Sequence, residues 1–175
     1  METLNKPVEN AYWVVEGHFL AGEHPLNGPK EKAYPRLQAL LESGFEAFFD
    51  LTMPKEAPSY HAKLQELASL RRRPVEYYAF PIPDFGIPTP QEMSRLLDTL
   101  ESVLQRGLRT YLHCWGGIGR TGTVVACYLI RRGLSGDEAL RELHRRWQSV
   151  PKSRFYPHSP ETEAQRQFVL TFQGF

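Results

Sequence analysis

Cysteine is scarce in this chain of 175 residues, with Cys114 and Cys127 the two present. One falls in a glycine-rich turn and the other in an apolar run, so no disulfide framework follows and a reducing compartment, the cytoplasm, is expected. Long hydrophobic runs are also lacking. No stretch approaches the ~20 apolar residues that cross a bilayer, which excludes membrane insertion by a helix. Residues 1–10 are polar and carry no apolar leader region, so no signal peptide is expected. There is no excess of one charge either. The 21 basic side chains meet 20 acidic ones, for a formal charge of +1, and nucleic acid is not expected as a general partner. Repeats and low-complexity tracts are absent, and the length suits a single domain over 1–175, read as a monomer. No His, Cys and Asp residues fall at metal-ligand spacing, so neither a metal nor a cofactor is expected.

What the chain does have is the stretch Thr110-Tyr-Leu-His-Cys-Trp-Gly-Gly-Ile-Gly-Arg-Thr-Gly122, followed by Thr-Val-Val-Ala-Cys-Tyr-Leu-Ile130. A β-branched and aromatic run predicts a buried strand, and the apolar run over 124–130 predicts a packed helix. The loop between them points backbone N–H groups at one spot in front of a helix N-terminus, which attracts anions through unpaired amides and the helix dipole. Gly116, Gly117 and Gly119 let the backbone curl into an amide nest without a Cβ clash. Cys114 opens this loop and Arg120 closes it, a nucleophile and its phosphate clamp. A thiol attacks as thiolate, and its pKa of about 8.5 falls to roughly 3.5–7.5 at a helix N-terminus or beside a cation. The planar guanidinium of Arg120 matches two phosphate oxygens at once. Phosphoryl transfer needs mainly positioning and charge stabilisation, which amides and guanidinium supply together. His113 would fix the loop and tune the sulfur, and Thr121 would hydrogen-bond the sulfur as it departs.

Rival readings of the loop are weaker. Gly117-x-Gly119-x-x-Gly122 matches a dinucleotide fingerprint, but that motif leads to a second strand with an acidic residue about 20 positions on. Here residues 133–144 read as another helix. The nucleotide P-loop pattern fails because no Lys-Ser/Thr follows Gly122. A cysteine buried merely as a small hydrophobe leaves the arginine and the three glycines unexplained.

The run from His113 to Thr121 resembles the signature of the cysteine-dependent protein tyrosine phosphatases: His-Cys, five residues, Arg, then Ser/Thr. The glycine spacing and short chain are similar to the dual-specificity branch. The resemblance implies a phosphocysteine intermediate, a phosphate loop made of Trp115, Gly116, Gly117, Ile118, Gly119 and Arg120, and a separate general acid upstream. Asp84 is placed like that acid, thirty residues before Cys114 in a loop with three prolines that pre-set its position. It would protonate the leaving oxygen and then draw a proton from the attacking water. The Ala-Gly-x-x-Pro segment ending at Pro25 extends the resemblance towards the N-terminus. Tyrosine phosphatases also carry a Gln-Thr-x-x-Gln segment that positions hydrolytic water. This chain has Glu161-Thr162-Glu-Ala-Gln165, so that role is not carried over.

The remaining pattern alternates strand and helix, which predicts an α/β fold with a central, mostly parallel sheet flanked by helices. Strands are expected within 11–21 (two, turning near Glu16-Gly17), 45–51, 75–80 and at Tyr111-Leu112. Helices are expected over 34–43, 60–70, from the Thr89-Pro-Gln-Glu92 capping box with Met93, Leu96, Leu97, Leu100, Val103 and Leu104 inward, and from the Ser135 capping box through Trp147. After a loop over 150–158, Ser159-Pro160-Glu161 is expected to open a last helix running from Thr162 to about Phe172. Asp50, ending a strand, reads as a loop-fixing carboxylate, and Arg71-Arg-Arg73 as a helix-end dipole complement. Cys127 reads as core. The expected reaction is hydrolysis of a phosphate monoester. The loop lacks the lysines frequent in phosphoinositide phosphatases, so a phosphoprotein is the first substrate class, ahead of an inositol phosphate or other small phosphoester. A phosphate-binding module without turnover is the non-enzymatic alternative.

Overall fold

The computed structural model describes residues 5–175; the first four residues of the polar segment 1–10 lie outside them. Among the described residues are the strands β1 (Ala11–Val15), β2 (Phe19–Gly22), β3 (Phe45–Asp50), β4 (Glu76–Ala79) and β5 (Arg109–His113). They form one sheet in the order β1-β2-β5-β3-β4. β1 and β2 are antiparallel, joined by a turn in which Gly17 takes a φ of +76°, and the other neighbours run parallel. The helices are α1 (Ala33–Glu42), α2 (His61–Leu70), α3 (Pro90–Gln105), α4 (Gly119–Arg131), α5 (Gly136–Trp147) and α6 (Glu163–Thr171), with short 3-10 turns at Lys30–Lys32 and Pro151–Arg154.

Side chains alternate across the strands, so each face of the sheet builds its own core. Phe19, Ala21, Phe49 and Leu112 pack against α3, α4, α5 and α6, while Leu20, Phe48 and Tyr111 pack against α1 and α2. Fully burying each such large apolar side chain contributes about 1.5–3 kcal/mol. α4 is the central helix, buried from Gly119 to Leu129. On α3 the expected apolar face is observed, with Met93, Leu96, Leu97, Leu100 and Val103 buried. Leu104, at its edge, is only partly covered. Capping boxes at Thr89 and Ser135 form as the sequence predicts, each worth about 1 kcal/mol.

One helix start and one helix cap differ from expectation. α4 begins five residues earlier than the apolar run, at Gly119, because Gly122 N donates to Ile118 O at 3.1 Å and Thr123 Oγ1 to Gly119 O at 2.8 Å. Arg120 and Thr121 therefore stand in its first turn. α6 starts at Glu163, one residue past the expected Thr162, but its cap is Thr162, which trades hydrogen bonds with Gln165. Ser159 does not cap it, because its Oγ donates to Ile118 O at 2.7 Å, and the Ser159-Pro160 peptide is cis.

The register brings Gly22 and Asp50 level with His113, one on each side. The parallel strands thus end together, and the loops after β2, β3, β4 and β5 gather at one carboxyl edge, where open α/β sheets place their sites. The segment after α4 is the helix α5, not the strand a dinucleotide fold requires.

Candidate active site

The loop between β5 and α4 is anchored at each residue. The Gly117 N–H donates to Cys114 Sγ at 3.3 Å, and Cys114 is 2% exposed at the base of the turn. Gly117 has a φ of +75°, and a Cβ there would meet the Gly22 carbonyl carbon at 2.5 Å and Glu23 N at 2.6 Å. Only glycine satisfies both the conformation and the close approach. Trp115 O accepts from His24 N at 3.0 Å and Asn27 Nδ2 at 2.9 Å, while its ring is partly exposed. Gly116 O accepts from Lys152 Nζ at 3.1 Å, and that lysine is paired with the buried Glu23 at 2.6 Å. The Ile118 side chain is buried, and Gly119 lies under Gln165. The Ala21–Pro25 stretch therefore forms one wall of the loop.

Arg120 is 2% exposed, and both terminal nitrogens of its guanidinium are engaged. Nη1 donates to Glu56 Oε2 at 2.8 Å and to Ile82 O at 3.0 Å, and Nη2 donates to Glu56 Oε1 at 2.5 Å. Nη2 also lies 3.0 Å from Asp84 Oδ1. Hydrogen bonding from Arg120 holds the Glu56 carboxyl below its usual range. Burial works against the Arg120 charge, but Glu56, Cys114 and Asp84 outweigh it and raise its pKa. The fold thus brings Asp84 and Arg120 together and adds a residue that sequence reading passed over. Glu56 stood in an irregular loop after β3, with no local signal tying it to an arginine 64 positions away.

Behind the loop lies a buried polar network. His113 Nε2 is 2.6 Å from Tyr60 Oη and its Nδ1 is 3.0 Å from Cys114 O, which assigns the proton to Nδ1 and leaves Nε2 as the acceptor from tyrosine. Asp50 accepts from Thr52 N at 2.9 Å, Thr52 Oγ1 at 2.6 Å and Tyr77 Oη at 2.7 Å, so it is the loop-fixing carboxylate the sequence suggested. His24 packs edge-on to His113 at 4.8 Å between ring centres and tilts against Trp115 at 5.4 Å. Burial pushes both histidines towards the neutral form, His24 down to about 3. Linear spacing offers no hint of a metal-ligand cluster, but the fold draws the ligand atoms of His24, Asp50 and His113 within 4.8 Å of one another. Their chemistry does not fit a cation: His24 Nδ1 accepts from Leu26 N, His113 Nε2 from tyrosine, and Asp50 from three donors.

Other expected residues fall as follows. Thr121 Oγ1 is buried with no hydrogen bond among the described residues, so it is not joined to the sulfur in this state. Cys127 is in the core, where burial pushes its thiol up. Arg71 Nη1 reaches Leu67 O at the end of α2 and Nη2 pairs with Glu42 at 3.0 Å, as a helix-end complement would. Glu161 and Gln165 lie against Gly119, although sequence reading gave neither a role in the site.

The fold is shared with solved structures, and the sequence with curated proteins. The chain is 28% identical to the structure of Tk-PTP in its active form, with a TM-score of 0.70 over 92% of this chain and 93% of that one. It shares the fold, at 18% identity and a TM-score of 0.70, with kinase associated phosphatase bearing a serine at its catalytic cysteine, over 94% of this chain and 92% of that one. In mouse, the protein tyrosine phosphatase domain-containing protein 1 is 26% identical over 136 residues, 73% of this chain and 18% of that protein. The uncharacterized protein MJECL20 of Methanocaldococcus jannaschii is 35% identical over 92 residues, 53% of this chain and 56% of that protein. The chain thus spans 18% to 56% of the length of these curated relatives. The family model described as Swiss Army Knife protein, DSP-PTPase phosphatase domain (PTP-SAK) matches residues 9–169, and the chain belongs to that phosphatase family.

Proposed function

We propose that this protein is a working phosphoprotein phosphatase that hydrolyses phosphate monoesters through a phosphocysteine. The observation that carries the reading is the meeting of Cys114, the Gly117 amide, Arg120 and Asp84 at one sheet edge. Cys114 Sγ attacks phosphorus, a P–S bond forms and the P–O bond to the leaving group breaks. Asp84 gives its proton to the leaving oxygen. Water then attacks phosphorus, the P–S bond breaks, and Asp84 recovers a proton from the water as phosphate departs and the thiolate is restored. Arg120 and the loop amides hold the three phosphoryl oxygens. At rest Asp84 sits on Arg120, so substrate must displace it from the guanidinium before it acts. His113 and the network behind it hold the loop, and Thr121 meets the sulfur as it leaves phosphorus. No cofactor or metal takes part in this scheme.

Phosphotyrosine is the preferred substrate group, with phosphoserine and phosphothreonine secondary. Phe85, beside Asp84 in the chain, is 59% exposed, and Trp115, beside Cys114, is 37% exposed, which offers an aromatic leaving group apolar surface. The loop itself carries no lysine. Residues 1–175 act as one phosphatase unit, a monomer of the cytoplasm. No helix among the described residues is long and apolar enough to cross a membrane.

Hydrolysis of an aryl phosphate in the presence of a chelator tests the scheme. Wild type turns over, Cys114→Ser is inactive, and Asp84→Asn is slowed most with poor leaving groups. Activity that survives Cys114→Ser, or that the chelator alone abolishes, contradicts it. The core domain of the PP-IP phosphatase SIW14 shares the fold at 16% identity, so inositol phosphates belong beside phosphopeptides in the substrate panel.

A further inference from the structure

Glu161-Thr162-Glu-Ala-Gln165 resembles the Gln-Thr-x-x-Gln segment of tyrosine phosphatases with its first glutamine replaced, and the Glu161 side chain lies against Gly119 of the Cys114 loop. A Cβ placed on Gly119 would lie 3.1 Å from Glu161 Oε1 and 2.8 Å from Gln165 Oε1, so the carboxyl rests on the first residue of α4. Gln165 fixes it there. Its buried amide accepts from Glu161 N at 3.0 Å and Thr162 N at 3.1 Å, and donates to Gly86 O of the Asp84 loop at 3.2 Å. One side chain therefore straps together the segment carrying Glu161, the loop carrying Asp84, and α6.

Two carboxylates consequently stand on donors that a phosphate dianion needs: Asp84 on the Arg120 guanidinium, and Glu161 at the Gly119 amide. Burial and the Asp84 charge push the Glu161 carboxyl above its ordinary range, against the pull of the Gly119 N–H, Arg120 and Lys152. Two like charges confined to one site favour protonation of one of them. Glu161 also lines a cleft of about 780 Å³ that holds Asp137, Arg141 and His144 of α5. His158, and Glu163 and Arg166 of α6, complete the charged groups there.

We propose that the Glu161 carboxyl is a proton-carrying member of the phosphate cup. When an oxyanion enters, the carboxylate takes one proton from solvent, and its O–H then donates to a ligand oxygen; no bond to phosphorus is made or broken. A glutamine at this position offers an N–H donor at every pH. A glutamate offers one only once protonated, so anion affinity becomes linked to proton uptake and the site selects a ligand together with a proton. The inference rests on the phosphate reading of the Cys114 loop.

Calorimetric titration with sulfate, which stays dianionic across the range used, tests it in Cys114→Ser protein, where the thiol no longer titrates. The Kd is expected to weaken as pH rises from about 4 to about 8, by up to about tenfold per unit above the Glu161 pKa, with buffer-dependent heats reporting uptake of up to one proton. In Cys114→Ser/Glu161→Gln the curve flattens and sulfate binds more tightly at the alkaline end. Glu161→Asp in the same background, which keeps a carboxyl, retains a slope. Asp84, His144 and His158 are common to all three proteins, and the same series repeated on an Asp84→Asn background removes the carboxylate that acts on Glu161. If the Kd ratio between Cys114→Ser and Cys114→Ser/Glu161→Gln stays constant with pH, the proton linkage is overturned while the cup stays intact. Failure of every variant to bind sulfate at any pH overturns the cup itself, and the inference with it.

Discussion

Arg120 and Glu56 hold each other through two parallel contacts, Nη1 to Oε2 at 2.8 Å and Nη2 to Oε1 at 2.5 Å. The fork-to-fork geometry fixes the plane of the guanidinium as well as its charge. Because Arg120 is buried while Glu56 is partly exposed, losing the carboxylate leaves a poorly compensated cation. Glu56→Gln is expected to cost about 1–2 kcal/mol in urea unfolding, less than for a fully buried pair. It should also lower kcat/KM for an aryl phosphate about tenfold, near 1.4 kcal/mol, because the clamp is no longer aimed. The pair's contribution is present above the ordinary glutamate pKa and is lost as pH falls through the depressed Glu56 value, so wild type and variant converge in acid. Equal stability and equal turnover at neutral pH would remove Glu56 from the account.

Gly117 makes the second prediction. Its φ of +75° and the 2.5 Å approach of the Gly22 backbone leave no room for a methyl group. Gly117→Ala should destabilise the fold by about 1–3 kcal/mol and move the amide that faces the sulfur. Activity should fall by about a hundredfold or more, the loss expected when a preorganised donor in a reaction site is misplaced. Gly107, which has a φ of +79° but open space around it, is the control: alanine there should cost stability alone. An active Gly117→Ala enzyme would mean that the loop does not need this turn.

The neutral histidines behind the loop set an acid limit on stability. His24 has its pKa pushed from 6.5 to about 3, by burial first and then by His113. In this range the unfolded chain binds a proton that the folded chain refuses, so stability is full above about pH 6.5 and declines as pH falls below it. Wild type should lose about 1–3 kcal/mol between about pH 6.5 and about pH 4, measured by urea unfolding at each pH. His24→Phe should reduce that slope. A steeper slope in the variant would show that His24 is not held neutral.

Local chemistry was legible in the sequence, and long-range chemistry was not. Cys114, Arg120 and the three glycines sit within one turn, so their spacing alone announces an anion cup. Asp84 was singled out by its resemblance to the phosphatases' acid loop, and the fold sets it 3.0 Å from Arg120 Nη2. Strand alternation and the capping boxes at Thr89 and Ser135 also act over a few residues, and they place the sheet and two helices correctly. Glu56 and His24 reach the site from separate segments, and nothing in their own neighbourhoods marks them, whereas Gln165 lay in a motif-like segment whose altered first residue kept it from being assigned a role. The cap of α6 was misread because Ser159-Pro160 has the residue types of a cap, but the fold uses that serine hydroxyl to hold the Ile118 carbonyl. The cluster of His24, Asp50 and His113 arises from parallel strand ends brought level, which no linear spacing displays.

The most direct measurement is to trap the enzyme during turnover of a radiolabelled aryl phosphate by acid quench, and to locate the label by peptide mapping. The account predicts label on the peptide spanning Cys114, with the acid stability and iodine lability of a thiophosphate, and none in Cys114→Ser. Phosphorus found on His113 or any other side chain, or turnover by Cys114→Ser, would contradict it.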